Sequence, residues 1–256
     1  MIEPFAQRLR LKVESRIGLN RKRVPYERFF FGQKLYIHDH ESFMSVYREI
    51  YREEVYKFTC TSREPYIIDC GANIGLATLY FKQCHPNSHI VAFEADPNIF
   101  KFLEKNVHSF GFRDVELINS AVFDVDDVEL DFFTEGGAGG RVEKESLGGS
   151  SCIRVKTTRL KKLLVQDIAF LKIDIEGAES RVIRDCRDNL KLVQNLFIEY
   201  HSFSADQQEL HEILEIVRDV GFRYHIKSAY VTRFPFVNRN LNAGMDNQLN
   251  ISCYRE

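Results

Sequence analysis

The 256-residue chain has no C-x-x-C pair, and its six cysteines, at positions 60, 70, 84, 152, 186 and 253, form no His/Cys cluster at zinc spacing. Scattered thiols of this kind exclude a disulfide scaffold and point to a reducing, cytoplasmic setting. No apolar run reaches the ~18 residues needed to span a bilayer, and residues 1–25 lack the apolar centre of a signal peptide. An excess of positive charge is also missing. With 35 Lys/Arg against 37 Asp/Glu the formal net charge is −2, which argues against a general nucleic-acid binder. There is no internal repeat and no long low-complexity tract. At 44% hydrophobic and 28% charged, the chain has enough apolar material for one large domain, or for one domain and an appendage.

The charge is uneven. Residues 1–23 carry Arg8, Arg10, Lys12, Arg16, Arg21, Lys22 and Arg23 against Glu3 and Glu14. Such a segment is either the solvated face of a helix or a contact for an anionic substrate or membrane surface. Residues 1–62 read as a helical, aromatic-rich cap, with Phe43, Val46, Ile50, Val55 and Phe58 at near-helical spacing. From residue 63 to 256 the pattern becomes strand, turn, helix, repeated. YIID (66–69), HIVAFEAD (89–96), VELINSAV (115–122), IAFLKID (168–174) and NLFIEYH (195–201) read as strands, with VELDFFT (128–134) a further candidate. Helices are expected over 75–84, 98–110 and 176–189, and after a capping box at Ser204–Gln207. Two last strands, 222–231 and 247–255, follow with no helix between them. Strands alternating with helices imply a parallel sheet covered on both faces, ending in an antiparallel pair. Between them, residues 135–151 hold six glycines and read as a mobile loop, idle or acting as a lid.

YIID-CGANIG-LATLYF is strand, glycine loop, helix, at the sheet edge where open α/β sheets bind ligands. Glycines at 71 and 75 would let backbone N–H groups and a helix N-terminus approach a ligand. Glu94, 23 residues after Gly71, ends the next strand, where a carboxylate accepts both hydroxyls of a ribose. The third glycine of G-x-G-x-x-G is absent, and Leu76 after Gly75 rules out the P-loop. A carboxylate at Asp69 would repel a pyrophosphate but suits the amino group of a methionine moiety. S-adenosylmethionine is therefore favoured over NAD, with a purely structural turn as the third reading.

LKIDIEGAE (171–179) places Asp174 at the end of the fourth strand, with Glu176 and Glu179 at the turn into the helix. Acids in a first helical turn have a simple explanation in the helix dipole, which fits Glu179 well and Asp174 not at all. Glu199 and His201 end the fifth strand at the same edge, on one side of it, with Tyr200 on the other. A His among carboxylates there is a candidate general base.

Together, D-x-G-A-N-I-G, F-E-A-D-P, L-K-I-D-I-E-G-A-E and I-E-Y-H resemble the FkbM-type family of S-adenosylmethionine-dependent methyltransferases over roughly residues 60–256. The resemblance implies a Rossmann-like class I methyltransferase fold: a mostly parallel seven-stranded sheet with an antiparallel C-terminal strand, here with an N-terminal cap. It also implies O-methylation, often of sugar hydroxyls. By resemblance Asp69, Gly71, Asn73 and Gly75 hold the methionine end, Glu94 the ribose, and Asn119 to Ala121, with Ser120 between, border the adenine.

A sugar hydroxyl is a poor acid, so a base or a metal should assist. His201 is the base expected, with Asp174 orienting it or bonding the acceptor. The other route places Mg²⁺ or a similar divalent cation on Asp174 and Glu199, with Glu176 nearby. No Asn/Asp-Pro-Pro-Tyr ends the fourth strand, which favours an oxygen acceptor over an amide or ring nitrogen. The expected partner is a small molecule or glycan; a homo-oligomer is compatible with the composition. An NAD(P)-dependent oxidoreductase and a non-catalytic nucleoside-binding scaffold are the alternatives.

Overall fold

The computed structural model describes residues 24–134, 140–142, 151–230, 234–237 and 244–255, so the basic segment 1–23 lies outside the described residues. The first described element is a hairpin, which corrects the expectation of a wholly helical cap. In YERFFFGQKLYI, β1 (Tyr26–Phe30) and β2 (Gln33–Ile37) pair antiparallel. Phe31 (φ 48°) and Gly32 (φ 83°) make the two-residue turn, in the left-handed region that twisted hairpins require. Helix α1 (His40–Tyr47) follows, its first turn capped by the Asp39 carboxylate, which accepts from Ser42 N at 2.7 Å. A π turn over Arg48–Arg52 extends it.

Then come β3 (Tyr66–Cys70), α2 (Leu76–Cys84), β4 (His89–Phe93), α3 (Pro97–Ser109) and β5 (Val115–Ile118). Asp96 caps α3 through Asn98 N at 2.8 Å, with Pro97 in its first turn, as the Asp-Pro pair implied. The strand expected over 115–122 divides. It leaves the main sheet after Ile118, and a separate β6 (Ala121–Phe123) joins a second sheet with β7 (Glu129–Thr134), β8 (Gly140–Val142) and β9 (Ser151–Arg159), in the order β6-β9-β7-β8. The lid expected on 135–151 lies largely outside the described residues.

The chain returns through β10 (Ile168–Ile173), α4 (Glu179–Cys186), β11 (Val193–Phe203), α5 (Leu210–Asp219), β12 (Arg223–Ser228) and β13 (Met245–Tyr254). Helix α4 starts three residues later than expected because Glu176 (φ 56°) and Gly177 (φ 106°) turn the backbone the wrong way for a helix. Ser204 does not cap α5. Its N–H donates to Gly244 O, keeping it on the sheet edge, while Glu209 N, before the helix, donates to the Tyr200 hydroxyl at 3.0 Å.

The main sheet runs β12-β13-β11-β10-β3-β4-β5, parallel except for β13, which is antiparallel to both neighbours. One face packs Ile68, Leu171 and Ile198 in a core with Ile183 of α4 and Val217 of α5. The other joins the hairpin's Phe30, Leu35 and Ile37 to Leu79, Phe81, Phe170 and Phe197 in a single core. Each such side chain contributes ~1.5–3 kcal/mol on burial, so the extension is held to the sheet by apolar packing. Among the described residues no helix is long and apolar enough to cross a membrane.

β3 and β10 end so close together that a Cβ on Gly71 (φ 82°) would lie 1.8 Å from the Asp174 carbonyl oxygen. Gly71→Ala should therefore cost more than ~2 kcal/mol in urea denaturation, from overpacking added to backbone strain. Gly32→Ala, with the same backbone but open space around it, should cost about 1 kcal/mol. Equal costs would show that the Asp174 carbonyl yields.

Candidate active site

Parallel pairing of β3 with β10 sets Asp69 opposite Lys172. The Lys172 side chain is 3% exposed, and its ammonium lies 3.0 Å from Asp174 Oδ2 and 3.5 Å from Asp69 Oδ1. It also donates to the carbonyls of Gly71 (2.8 Å) and Cys70 (3.3 Å). Burial alone would lower its pKa; Asp174 and Asp69 outweigh that and hold it above the usual lysine value. Asp69 is fully buried, and its other oxygen accepts from Thr78 Oγ1 at 2.7 Å. It lies beneath the cleft and not among the residues lining it.

The glycine loop is closed on itself. Gly71 N and Ala72 N donate to Phe93 O, Asn73 N to Glu94 Oε2, Ile74 N to Asn73 Oδ1, and Gly75 N to Ala72 O. This corrects the expectation that loop N–H groups face a ligand. The bare positions also clear the protein's own atoms: Asp174 O at Gly71, and Leu103 Cδ1, 2.7 Å from a Cβ at Gly75. The loop is a rigid wall, with Gly71, Ala72 and Asn73 facing the cleft by shape.

The cleft is open to solvent, and its lining runs from Glu94 at one end to Glu199 and Gln248 at the other. Glu94 lines it, with Oε1 accepting from Asp96 N at 2.8 Å and Oε2 from Asn73 N at 2.9 Å. Burial pushes its pKa up to about 7, with those two N–H groups opposing. Ser120, Ala121 and Phe132 line the same end; Ser120 Oγ donates to Lys156 O, and Asn119 Nδ2 ties β5 back to Glu94 O. The lining carries six carboxylates (Glu49, Glu94, Asp96, Asp174, Glu176, Glu199) against the single ammonium of Lys172.

At the other end the structure gathers the second constellation. His201 Nδ1 is 3.0 Å from Glu179 Oε1, and both side chains are 1% exposed. Glu179 also accepts from Ile175 N and Gly177 N, so it is locked in place. His201 Nε2 faces Glu176 Oε2 at 3.5 Å, Glu199 Oε1 at 3.8 Å and Asp174 Oδ1 at 4.0 Å. Burial alone would lower the His201 pKa; Glu176 and Glu179 reverse this and raise it well above the usual imidazole value. Glu176 and Glu199 are raised by burial, with Asp174 adding to each and His201 opposing. Glu199 also accepts from Gln248 Nε2 at 2.5 Å.

Two expectations change here. The residue that orients His201 is Glu179, not Asp174, which pairs with Lys172 instead. His201 stands behind the cleft, while Asp174, Glu176 and Glu199 line it. Of the pair expected to hold a cation, Asp174 groups with Glu176 and His201, whose donor atoms lie within 4.8 Å of one another, and Glu199 stands beside that set. The sequence reading missed Lys172, although a lysine inside the apolar run IAFLKI is itself a signal. It also missed Glu49 and Gln248, which reach the cleft from the π turn and from β13.

A seven-stranded sheet in this order, with a glycine loop after β3 and a carboxylate ending β4, is that of class I S-adenosylmethionine-dependent methyltransferases. The profile of the methyltransferase FkbM domain matches residues 69–224, and the chain belongs to that family. The methyltransferase sdnD of Sordaria araneosa is 25% identical over 221 residues, covering 69% of this chain and 81% of its own length. Methyltransferase 1 of Beauveria bassiana is 24% identical over 194 residues, 66% of this chain and 78% of that protein. Among solved structures, TYW2 of M. jannaschii in complex with AdoMet superposes with a TM-score of 0.51 at 11% identity, covering 92% of this chain and 88% of that one.

Removing the Lys172 charge leaves the fully buried Asp69 without its ionic partner and takes the same partner from the partly exposed Asp174. Lys172→Met should therefore cost ~3–5 kcal/mol of stability, and adding Asp69→Asn should recover part of it. Additive losses in denaturant melts would show that the two groups are not coupled.

Proposed function

We propose that the protein is an S-adenosylmethionine-dependent O-methyltransferase whose acceptor is a hydroxyl of a sugar, glycan or related polyhydroxylated compound. The observation that carries the reading is one cleft with a ribose-type carboxylate at one end and a His–carboxylate cluster at the other. Bound S-adenosylmethionine supplies a sulfonium methyl, which an oxygen lone pair takes in line as the S–CH₃ bonding pair returns to sulfur.

The chain's residues fit that cofactor. Glu94 keeps a second lone pair on each oxygen for the ribose hydroxyls. Ala95, Ala121 and Phe132 form an apolar shelf beside Ser120 that suits the adenine. The methionine end falls to the wall of Gly71, Asn73 and Asp174, with Asp69 acting through Lys172. The net negative lining favours a sulfonium and an ammonium and disfavours the diphosphate of NAD(P).

The acceptor end carries Ser45, Glu49 and Gln248 among the apolar Val46, Ile50 and Tyr56, and Glu49 accepts from Asn250 Nδ2 at 2.6 Å. Such a wall suits a polyhydroxylated acceptor. Glu199 meets the acceptor's hydroxyl and takes its proton, with His201 Nε2 behind it, 3.8 Å from Glu199 Oε1. The cluster titrates as a unit, so the base is shared between Glu199 and His201.

His201→Ala and Glu199→Gln should each lower kcat by roughly a hundredfold or more, leaving S-adenosylhomocysteine affinity nearly unchanged by calorimetry. Turnover close to that of the parent protein would remove the cluster from the reaction.

Glu94 is ionised above about pH 7 and accepts both ribose hydroxyls; below that pH it gains a proton and loses an acceptor. S-adenosylhomocysteine should therefore bind more weakly as pH falls from 8 to 6, approaching a tenfold loss per unit below the pKa. In Glu94→Gln binding should be weak throughout, with a flatter pH profile; an equal slope in both proteins would place the titration elsewhere.

A further inference from the structure

We infer that Asp174, Glu176 and His201 form a binding site for one divalent cation, of the Mn²⁺ or Zn²⁺ type, at the acceptor end of the cleft. Nε2 of His201 lies 3.5 Å from Glu176 Oε2 and 4.0 Å from Asp174 Oδ1. Two donors at ~2.1 Å from a common cation and a tetrahedral angle apart are separated by ~3.4 Å, close to both His201 spacings, and all three donors lie within 4.8 Å of one another.

The histidine supplies an observation independent of the acids. Its side chain is 1% exposed, and Nδ1 is fixed on Glu179, itself 1% exposed and held by Ile175 N and Gly177 N. A carboxylate on one ring nitrogen, with the other aimed at two further carboxylates, is the arrangement that orients a metal-ligating imidazole. The left-handed backbone at Glu176 and Gly177 turns the Glu176 carboxylate toward the ring. Charge agrees: Lys172 is engaged by Asp69 and Asp174, so the acids around His201 exceed the positive charge beside them.

One imidazole and two carboxylates favour Mn²⁺ or Zn²⁺ over Mg²⁺, which prefers oxygen donors throughout. Three protein ligands leave coordination positions open, and Asp174 and Glu176 line the cleft, so those positions face the acceptor. A cation there makes an acceptor hydroxyl a stronger acid, and its proton passes to Glu199, 3.8 Å from Nε2 and outside the ligand set. No oxidation state changes. The role in methyl transfer rests on the proposed function; the binding site does not.

The test is titration of chelator-treated, cofactor-free protein with Mn²⁺ followed by electron paramagnetic resonance, and with Zn²⁺ followed by calorimetry, with S-adenosylhomocysteine binding measured in parallel. One cation should bind per chain, and His201→Ala and the near-isosteric Glu176→Gln should each weaken it roughly tenfold or more. Both variants should still bind S-adenosylhomocysteine, which reports that they are folded. Glu94→Gln should do the reverse, losing nucleoside affinity and keeping the cation. Absence of binding by both metals, or binding unaffected by Glu176→Gln, overturns the site. A protein that binds the cation but not S-adenosylhomocysteine retains the site and overturns the cofactor assignment instead.

Discussion

Lys172 carries the interaction on which the rest of the site depends. Burying an ammonium costs several kcal/mol unless it is paired and hydrogen-bonded. Here two carboxylates and two carbonyls surround it, all from the ends of β3 and β10. Because the strands are adjacent and parallel, Asp69 stands opposite Lys172, and alternation returns Asp174 to the same side two residues later. The approach is possible because Gly71 has no side chain to strike Asp174 O. One buried cation thus fixes both the start of the glycine loop and the carboxylate at the opposite wall of the cleft.

The same pairing leaves the rest of the cleft short of positive charge. Glu94, Glu176 and Glu199 are all raised, each chiefly by burial, and no second lysine or arginine stands among the residues lining the cleft. A cleft built this way holds a sulfonium better than a thioether. On the proposed function, loss of the methyl would remove the cofactor's positive sulfur and with it part of the attraction. His201 lies within the same surplus, with four carboxylates facing its two ring nitrogens.

The central strands, their order of appearance, the antiparallel end and several of the residues that line the cleft were legible in the sequence, because apolar runs broken by Gly and Asp-Pro carry their own periodicity. The hairpin was not. Its buried Phe30, Leu35 and Ile37 lie beside a helical stripe whose period dominated the reading. Strand β9, SCIRVKTTR, turns Val155 and Thr157 inward and Arg154 and Lys156 outward, yet its Gly-rich flank drew attention to a loop. Glu179 illustrates a different limit. Its place in a first helical turn was visible, but its contact with His201 depends on how α4 and β11 pack, which no local pattern encodes. The loop glycines show the same limit: their spacing suggested clearance for a ligand, and the clearance is for Asp174 and Leu103.

The residues divide along the chain in a way that bears on acceptor choice. Gly71, Glu94, Ser120, Lys172, Asp174, Glu176, Glu179, Glu199 and His201 all fall within residues 69–224, the stretch shared with the family. Ser45, Val46, Glu49, Ile50, Tyr56 and Gln248, which complete the cleft, lie outside it. Glu49 and Asn250 join the two flanks directly across 201 residues of sequence. Core packing of the hairpin and α1 against the sheet holds that outer wall at a fixed distance from Glu199, so a change there alters what reaches the base without disturbing Lys172 or Glu94. On the proposed function, the matched stretch supplies the chemistry, and the wall drawn from both flanks meets the acceptor.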